Sequence, residues 1–528
     1  MENNRLEQRI AFRVDVSINI GTGHFMRCLT VANSLSKYRI KSVFFCRDLD
    51  NISQDILIEN KHEFYNLSTA GIDEKSVTKD GPDSFSHADW LVVSQEADAN
   101  QCIEELKKHS WLGMIIDHYG IGKTWEKKVS LYTSKMIIFD DLADRSHYCH
   151  LLIDQNLGRN KADYYNLVPK DCTLLVGPQY ALLRPEFLEF RNRSIANRKK
   201  SNRCRILISM GGLDQDNYTH DVLETLNSCM LDVNTQVTVV LGRSSPWIDD
   251  IKNLVSNFNY EIQVIVGAEN MAELMSKSRI AIGAAGSSAW ERCCLGVPAL
   301  CFVIAENQRE AAVALENHGA ASIASIENLT VDTLQLHLDR LLSDKNKIRM
   351  QENCLGIVDG KGLARVTRFL VDKLSLLALR NVSLADSNLL LQWRNDPATR
   401  KNSLNTAYVE FDDHNAWFSK KYSSPDNCRI YIAELCSNIP IGQVRFDLDD
   451  DANWMVNYSI APYFRELGLG AKMLTLAIHQ LRELYPNCSI IAKIKDFNVA
   501  SKRIFESIDF ELFDQPGNGM LCYSYFGI

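Results

Sequence analysis

From Ile10 onward, short runs of β-branched and apolar residues alternate with segments of helical period, and few architectures accommodate that alternation. Strands that are each followed by a helix pair in parallel and need helices on both faces, which is the doubly wound α/β arrangement. Ile10–Val14, Ser42–Cys46, Trp90–Val93, Met114–Ile116, Met136–Phe139 and Leu151–Ile153 form one predicted strand set. A basic, polar stretch, Arg191–Arg203, reads as a solvated linker. A second set follows it: Cys204–Met210, Gln236–Leu241, Ile262–Val266, Ile280–Gly283 and Ala299–Ile304. Helices predicted at Val331–Leu342 and Ala364–Leu376 close this part. The expectation is a pair of Rossmann-type domains, residues 1–190 and 191–374, with a ligand cleft between the carboxyl ends of their sheets.

Near Ser375 the pattern changes. A strand, a helix and a meander at Ile430–Glu434, Gly442–Asp447 and Met455–Ile460 lead to a glycine-rich turn, a helix, a strand at Ser489–Ile494 and a last helix. That order describes a separate α+β unit, residues 375–528. A chain of 528 residues needs more than one core, consistent with three domains. With 58 Lys and Arg against 66 Asp and Glu, the net charge of -8 argues against nucleic acid as a partner. The 15 cysteines are scattered and odd in number, without CxxC pairs or zinc-type Cys/His spacing, so free thiols and no metal site are expected. The opening residues lack an apolar signal core, and the longest apolar run, Pro298–Ala305, falls far short of a bilayer span. A cytoplasmic chain without a membrane partner is expected.

Two groups of motifs carry chemistry. In the C-terminal unit, the strand Met455–Ile460 runs into Arg465, Leu467, Gly468, Gly470 and Ala471 and then the helix Lys472–Leu484. Glycines there let backbone approach a pyrophosphate, amides at a helix start point at the anion, and Arg465 adds a mobile positive charge. A plain connecting turn would explain the glycines alone. Asn498 and Ser501 open a further helix that ends at Phe505 to Phe510. Upstream stand Trp393, Arg394, Asn395, Asp396 and Pro397, then His414, Asn415, Trp417 and Phe418. Trp417 and Phe418 read equally as core or as pocket wall, and His414 as a site group or a surface residue.

In the first domain the leading strand ends at Asp15, and Gly21, Thr22 and Gly23 precede His24 and Arg27. Glycines before a helix form an anion nest, and a histidine at a cleft mouth has the titration range to take a proton from water. A helix-capping histidine is the competing reading. The second domain supplies Gly211 and Gly212 at one strand end. It then supplies Gly286, Ser287, Ser288 and Glu291 at another, with Asn307 and Gln308 beyond. Hydroxyl residues at a helix start suit a diphosphate, and a carboxylate one turn in suits ribose hydroxyls. A packing turn accounts for the glycines but not for Glu291 together with Asn307 and Gln308.

The C-terminal motifs resemble the GNAT superfamily of acetyltransferases over about residues 376–527, and the Trp393 and His414 strings resemble its amino-sugar branch, with ribosomal-protein acetyltransferases similar there too. The resemblance implies acetyl-CoA as co-substrate, held by Arg465, Leu467, Gly468, Gly470, Ala471 and Asn498. It also implies an acceptor site at Arg394, Asn395, His414 and Trp417. Many members carry a proton-donating tyrosine where this chain has Phe505, so Tyr523 or water is expected to supply that proton. Lys493 stands where some relatives place an acid.

The first part resembles the GT-B superfamily. Through Gly21 to Leu29, Ile116 to Gly120, Asp140 to Arg145, Asp154 to Asn156 and Leu182 to Phe187, it is similar to UDP-2,4-diacetamido-2,4,6-trideoxy-β-L-altropyranose hydrolases of pseudaminic acid synthesis. That resemblance spans about residues 9 to 370. It implies His24 as the base that activates water. Asp15, Asp117 and His118 lie at strand ends, to orient water or sugar or else to cap. A UDP-sugar would lie against Gly23, Arg184, Gly211, Gly212, Ser287, Ser288, Glu291, Asn307 and Gln308, with no divalent ion. Together the resemblances imply acetylation of a 4-amino UDP-sugar followed by its hydrolysis with inversion. The alternative is a glycosyltransferase joined to a protein N-terminal acetyltransferase or to an inactive CoA-binding module. The sequence leaves the oligomeric state open.

Overall fold

The computed structural model describes residues 8–525 apart from 18–19, 69–85, 201–203, 233, 257, 259, 375–376, 436–438, 466–467 and 518. The chain divides into two compact units, Leu6–Phe369 and Leu370–Ile528.

The first unit holds two parallel sheets. One contains β1 (Arg9–Arg13), β2 (Lys41–Cys46), β3 (Glu63–Asn66), β4 (Trp111–Ile116), β5 (Met136–Phe139), β6 (Leu151–Asp154) and β7 (Thr173–Val176), in the order 3-2-1-4-5-6-7. The other contains β8 (Arg205–Ser209), β9 (Gln236–Leu241), β10 (Glu261–Val266), β11 (Ile280–Ala284), β12 (Ala299–Phe302) and β13 (Ala321–Ala324), in the order 10-9-8-11-12-13. Strands such as Ile10, Ala11 and Phe12 are buried on both faces, as parallel sheets covered by helices require. Each order reverses once, between β1 and β4 and between β8 and β11. At such a reversal the connections leave in opposite directions and open a crevice beyond the strand ends.

Several sequence expectations need correction. Trp90–Val93 is not a strand: Ala88–Leu91 forms a 3₁₀ turn, and Val92 takes a left-handed φ of 66°. Leu91 and Val93 are still buried, so the apolar run reports burial rather than strand geometry. The strands Glu63–Asn66, Thr173–Val176, Ala321–Ala324, Phe510–Asp514 and Met520–Tyr525 were not anticipated. Arg191–Arg203 is not a linker through its described part, because the helix Pro185–Lys200 continues through it. Arg191 there donates to the carbonyls of Cys294, Leu355 and Val358, and Ser194 donates to that of Leu295. The boundary drawn at 190/191 therefore falls inside a helix packed on the second sheet's helices. The helix Gly362–Leu374 then returns to the first sheet's side, where Thr367 Oγ1 lies 2.9 Å from Ser34 Oγ.

The second unit is one mixed sheet. Its strands are β14 (Leu377–Asn381), β15 (Cys428–Leu435), β16 (Ile439–Leu448), β17 (Asn453–Ile460), β18 (Ser489–Lys495), β19 (Phe510–Asp514) and β20 (Met520–Tyr525), in the order 14-15-16-17-18-20-19. All neighbours are antiparallel except β17 and β18, which run parallel and pair only from Asn453/Ser489 to Val456/Ala492. Among the described residues no helix is long and apolar enough to cross a membrane, and every described cysteine is a free thiol.

Candidate functional site

In the first unit the helix Gly23–Ser36 follows β1, and Asp117 follows β4, so the two flank the first crevice. Asp117 Oδ1 lies 2.6 Å from His24 Nδ1. A carboxylate there fixes the tautomer with Nδ1 protonated and leaves the lone pair on Nε2. Arg27, one turn along the same helix, donates to both oxygens of Asp117 at 2.8 and 2.6 Å and to Asp141 at 3.0 and 2.9 Å. Burial alone would raise the Asp117 carboxyl, but the charges of Arg27 and His24 and their hydrogen bonds hold it well below the usual carboxylate range. The ring of His24 stands edge-on to Tyr119 at 4.6 Å and to Trp90 at 6.3 Å, and it keeps 9% of its surface exposed. Tyr119 donates to Asp141 at 2.6 Å and closes the network.

Asp15 has a different place. Its oxygens accept from Arg13 at 2.6 and 2.9 Å and from the Arg47 amide at 2.7 Å, and His118 Nε2 lies 3.1 Å away. With Arg13 also bound to Asp98, Asp15 and His118 belong to a buried ion network that ties β1 to its neighbours. Arg27, Tyr119, Asp141 and Trp90 were missed as site residues. Arg27 had a signal, since its i+3 spacing from His24 puts both on one helix face.

The second sheet presents its glycines at its own reversal. Gly211 has a φ of 116°, and a Cβ at Gly212 would strike Thr22 Oγ1 at 2.5 Å. A Cβ at Gly23 would lie 3.7 Å from Ser287 Oγ. The predicted residues of the two halves thus meet: Thr22 and Gly23 of one against Gly212 and Ser287 of the other. Ser288 Oγ accepts from Arg292, and Gln308 Oε1 accepts from the Ile304 amide at 3.3 Å while its amide lies by Gly286. Asn307 Oδ1 is buried with no hydrogen-bond partner among the described residues, which is unusual for a buried acceptor. Glu291 is pushed up to about 7 by burial, against the pull of Arg184 and Arg292. Arg184 pairs with Glu186 at 3.1 Å, lies over Phe187, and its charge also acts on Glu291.

In the second unit, the strands β17 and β18 part after Val456 and Ala492, leaving one edge of Asn457 to Ile460 without a paired strand among the described residues. Gly468 begins the helix Leu469–Leu484 with a φ of 75°, and Gly470 is buried where a Cβ would press on Ile504 and Ile460 at 2.9 and 3.1 Å. Ala471 lies in the first turn beside it, and Leu467 lies outside the described residues. An unpaired strand edge ending at a 16-residue helix with open amides fits an extended amide-bearing arm attached to a pyrophosphate. Asn498 caps the helix Val499–Glu506 by accepting from the Ser501 amide. Arg465 is not mobile: it donates to Asp396 at 2.6 Å, Thr399 at 2.8 Å and the Ile460 carbonyl at 3.1 Å.

Three of the predicted acceptor residues also have other partners. Arg394 donates to the carbonyls of Asn405 and Ala407, and Asn395 exchanges two hydrogen bonds with the Val409 backbone, so both fasten the loop that follows. His414 is 3% exposed, bonds the Ser387 carbonyl at 2.9 Å and stacks on Phe418; it is a buried bolt between two helices and not a surface residue. Trp417 is half-buried under the Arg445 guanidinium. Phe505 is buried among Tyr458, Phe510 and Tyr523, and the Tyr523 hydroxyl donates to Glu506 at 3.2 Å, which engages the proton expected to be available. Lys493 is exposed. Tyr458, on the stretch of β17 that has lost its parallel neighbour, lies 3.0 Å from Ser501 Oγ and was missed. Among the described residues no group of three His, Cys, Asp or Glu side chains is arranged to hold a metal ion.

Residues 377–511 match the family model of the acetyltransferase (GNAT) domain, and residues 205–361 match the glycosyltransferase family 28 C-terminal domain. A UDP-2,4-diacetamido-2,4,6-trideoxy-beta-L-altropyranose hydrolase of Campylobacter jejuni is 28% identical over 314 residues, covering 59% of this chain and 97% of that protein. The spore coat polysaccharide biosynthesis protein SpsG of Bacillus subtilis is 26% identical over 302 residues, 56% of this chain and 87% of its own. An uncharacterized protein of Methanocaldococcus jannaschii is 24% identical over 514 residues, 95% of this chain and 96% of its own. Two parallel sheets whose reversals meet at glycine turns define a glycosyltransferase-like protein of the GT-B type. This chain is such a module fused to an acetyltransferase domain of the GNAT superfamily.

Proposed function

We propose that the chain is a bifunctional enzyme of sugar-nucleotide metabolism. Its second unit acetylates the 4-amino group of UDP-4-amino-4,6-dideoxy-N-acetyl-β-L-altrosamine. Its first unit then hydrolyses the product, UDP-2,4-diacetamido-2,4,6-trideoxy-β-L-altropyranose, to free sugar and UDP with inversion. In this reading residues 1–190 carry the base, 191–374 the nucleotide grip and 375–528 the acetyl transfer. The observation that carries it is the His24–Asp117 pair, 2.6 Å apart at the β1/β4 reversal and beside Ser287 of the other half. The likeness to the Campylobacter hydrolase over nearly its whole length supports the same substrate class.

Water gives one proton to His24 Nε2 while its oxygen bonds the anomeric carbon. The bond from that carbon to the diphosphate oxygen breaks, and UDP leaves with the electron pair. Asp117, held ionised, balances the imidazolium until the proton passes to solvent. UDP is a weak base, so its departing charge needs hydrogen-bond donors more than a general acid. Backbone amides at Gly23, Gly211, Gly212 and Ser287, with the Ser287 and Ser288 hydroxyls, supply them. Glu291 takes the ribose hydroxyls, and Asn307 Oδ1 accepts from the sugar or base. Attack from the face opposite UDP inverts the anomeric centre.

Acetyl-CoA supplies the activated acetyl group when bound in the second unit. There the β17 edge receives the coenzyme's amides, and Gly468, Gly470 and Ala471 receive its pyrophosphate. Arg465, ahead of the helix Leu469–Leu484, is fastened to Asp396 and Thr399. The test is to incubate the chain with acetyl-CoA and the 4-amino UDP-sugar and to follow acetylation, UDP release and the anomer by NMR. The expected result is an N-acetylated, inverted free sugar formed without any added sugar acceptor. UDP release that requires an alcohol acceptor would make the first unit a glycosyltransferase. Acetylation of peptide amino termini in preference to the sugar would overturn the second activity.

A further inference from the structure

We propose that the second unit carries an anion subsite, formed by Arg394, Arg400 and Arg445 between the rings of Tyr408 and Trp417, that grips the diphosphate of a nucleotide-linked acceptor. The proposal rests on the acceptor reading above and names the side chains that would enforce it. Arg394 ends the helix Ser387–Asn395 and Arg400 lies on the helix Pro397–Asn402. They fasten successive residues of one loop: Arg394 Nη2 donates to Asn405 O at 2.8 Å, and Arg400 Nε to Thr406 O at 3.1 Å. Arg445 projects from β16, donates through Nε to Asp447 at 2.7 Å, and lies 5.0 Å over the Trp417 ring. Arg400 lies 5.7 Å over Tyr408 in the same way.

Arg394 and Arg400 fasten one loop from two helices, and Arg394 stands within the electrostatic reach of Arg400 and Arg445. Burial, then the charges of Arg400 and Arg445, lower the hold of Arg394 on its proton, and among the described residues no carboxylate is paired with Arg394 or Arg400. Asp447, the acid that meets Arg445, is shared with Lys421 at 2.6 Å. Like charges gathered without counter-charge cost free energy unless an anion joins them. One N–H group, Arg394 Nη1, is buried with no hydrogen-bond partner among the described residues. Guanidiniums placed over aromatic rings, as Arg400 and Arg445 are, can still donate to a multi-oxygen anion, and the guanidinium fork suits phosphate. A peptide amino terminus or a polyamine, both cationic, would be repelled here. A diphosphate between a sugar amine and a stackable base satisfies the charge, the orphaned donor and the exposed Tyr408 together.

Coenzyme A also contains a diphosphate, so the test must separate the two sources. In the full chain, Arg400→Gln with Arg445→Gln is compared with the parent in steady-state acetylation. The expected result is a KM for the UDP-linked amino sugar raised at least about tenfold, with kcat and the acetyl-CoA KM little changed. Competitive inhibition of acetylation by UDP should be lost in parallel. A raised acetyl-CoA KM instead would assign the cluster to the coenzyme, and unchanged KM values for both substrates would remove the subsite. Hydrogen exchange of the parent with UDP alone separates this from the substrate reading. Protection of residues 394–410 that the double variant loses, without acetylation of any UDP-amino sugar, keeps the subsite and sinks that reading. Acetylation with an unaltered acceptor KM in the double variant does the opposite.

Discussion

His24 and His414 look alike as text, each near the start of a helix and each followed by apolar and aromatic residues, but the fold gives them opposite surroundings. His24 meets an ionised carboxylate through Nδ1, and the residue before it, Gly23, approaches Ser287 of the other half. His414 meets a main-chain carbonyl, is stacked on Phe418 and packed by Trp417, and burial lowers its affinity for a proton. A carboxylate partner fixes the imidazole's tautomer and orientation for proton transfer. A carbonyl partner inside an aromatic stack keeps it neutral and makes it a fastener. The identity of the partner, more than burial, separates the two roles.

The comparison breaks first at His24. His24→Ala should lower UDP release by about 10²–10⁴-fold while UDP still binds, as measured by product NMR and calorimetry. Asp117→Asn should approach the same loss, since an amide there no longer enforces the tautomer with Nε2 free. Its unfolding midpoint must be recorded alongside, because Arg27 also loses a counter-charge. Near-parental turnover in His24→Ala would place the base elsewhere and leave the two histidines functionally alike.

A smaller effect is expected at Glu291. A carboxyl raised to about 7 is half protonated near neutrality in the free protein and must ionise to accept two ribose hydroxyls. UDP affinity should therefore weaken as pH falls below about 7, whereas Glu291→Gln should bind about 10–100-fold more weakly with a flatter profile. The fold itself has the opposite trend. Between the ordinary glutamate range and about 7 the native state holds the extra proton, so stability falls as pH rises through that window. Glu291→Gln should remove that slope. A pH-independent UDP affinity in the parent would take Glu291 out of the nucleotide site.

Much of the fold was legible in the residues. The two parallel sheets follow from the spacing of their apolar runs, and the glycines after β1 and β8 and the serines after β11 mark the strand ends that the fold brings together at Thr22, Gly23, Gly212 and Ser287. What remained hidden depends on partners distant in sequence. Asp15 and Asp117 both follow strands β1 and β4, yet only the fold decides that Arg13 and Arg47 claim one while His24 and Arg27 claim the other. Arg465 looked mobile until Asp396, brought close from 69 residues away, fixed it. Arg191 looked like part of a solvated linker, and its charge in fact serves three carbonyl groups at helix ends. Polar residues are harder to place than apolar ones, because their role is set by one partner and not by a periodic face.

The mildest prediction tests the other half of the comparison. His414→Ala removes the hydrogen bond to Ser387 and the ring stacked on Phe418, and should destabilise the second unit by about 1–3 kcal/mol. Acetyl-transfer KM values should remain near those of the parent below the unfolding range. The parental pH dependence gives a further check. A buried imidazole whose affinity for protons is lowered binds fewer protons folded than unfolded, so the second unit should lose stability as pH falls below the ordinary histidine range. His414→Phe keeps an aromatic ring for the stack and cannot be protonated, so its stability should be less sensitive to acid even though the Ser387 carbonyl loses its donor. Hydrogen exchange in the helices Ser387–Asn395 and Phe411–Tyr422 reads this locally. If His414→Phe instead folded normally but raised the acceptor KM or suppressed kcat, His414 would be touching substrate, and the rule drawn from its carbonyl partner would not hold.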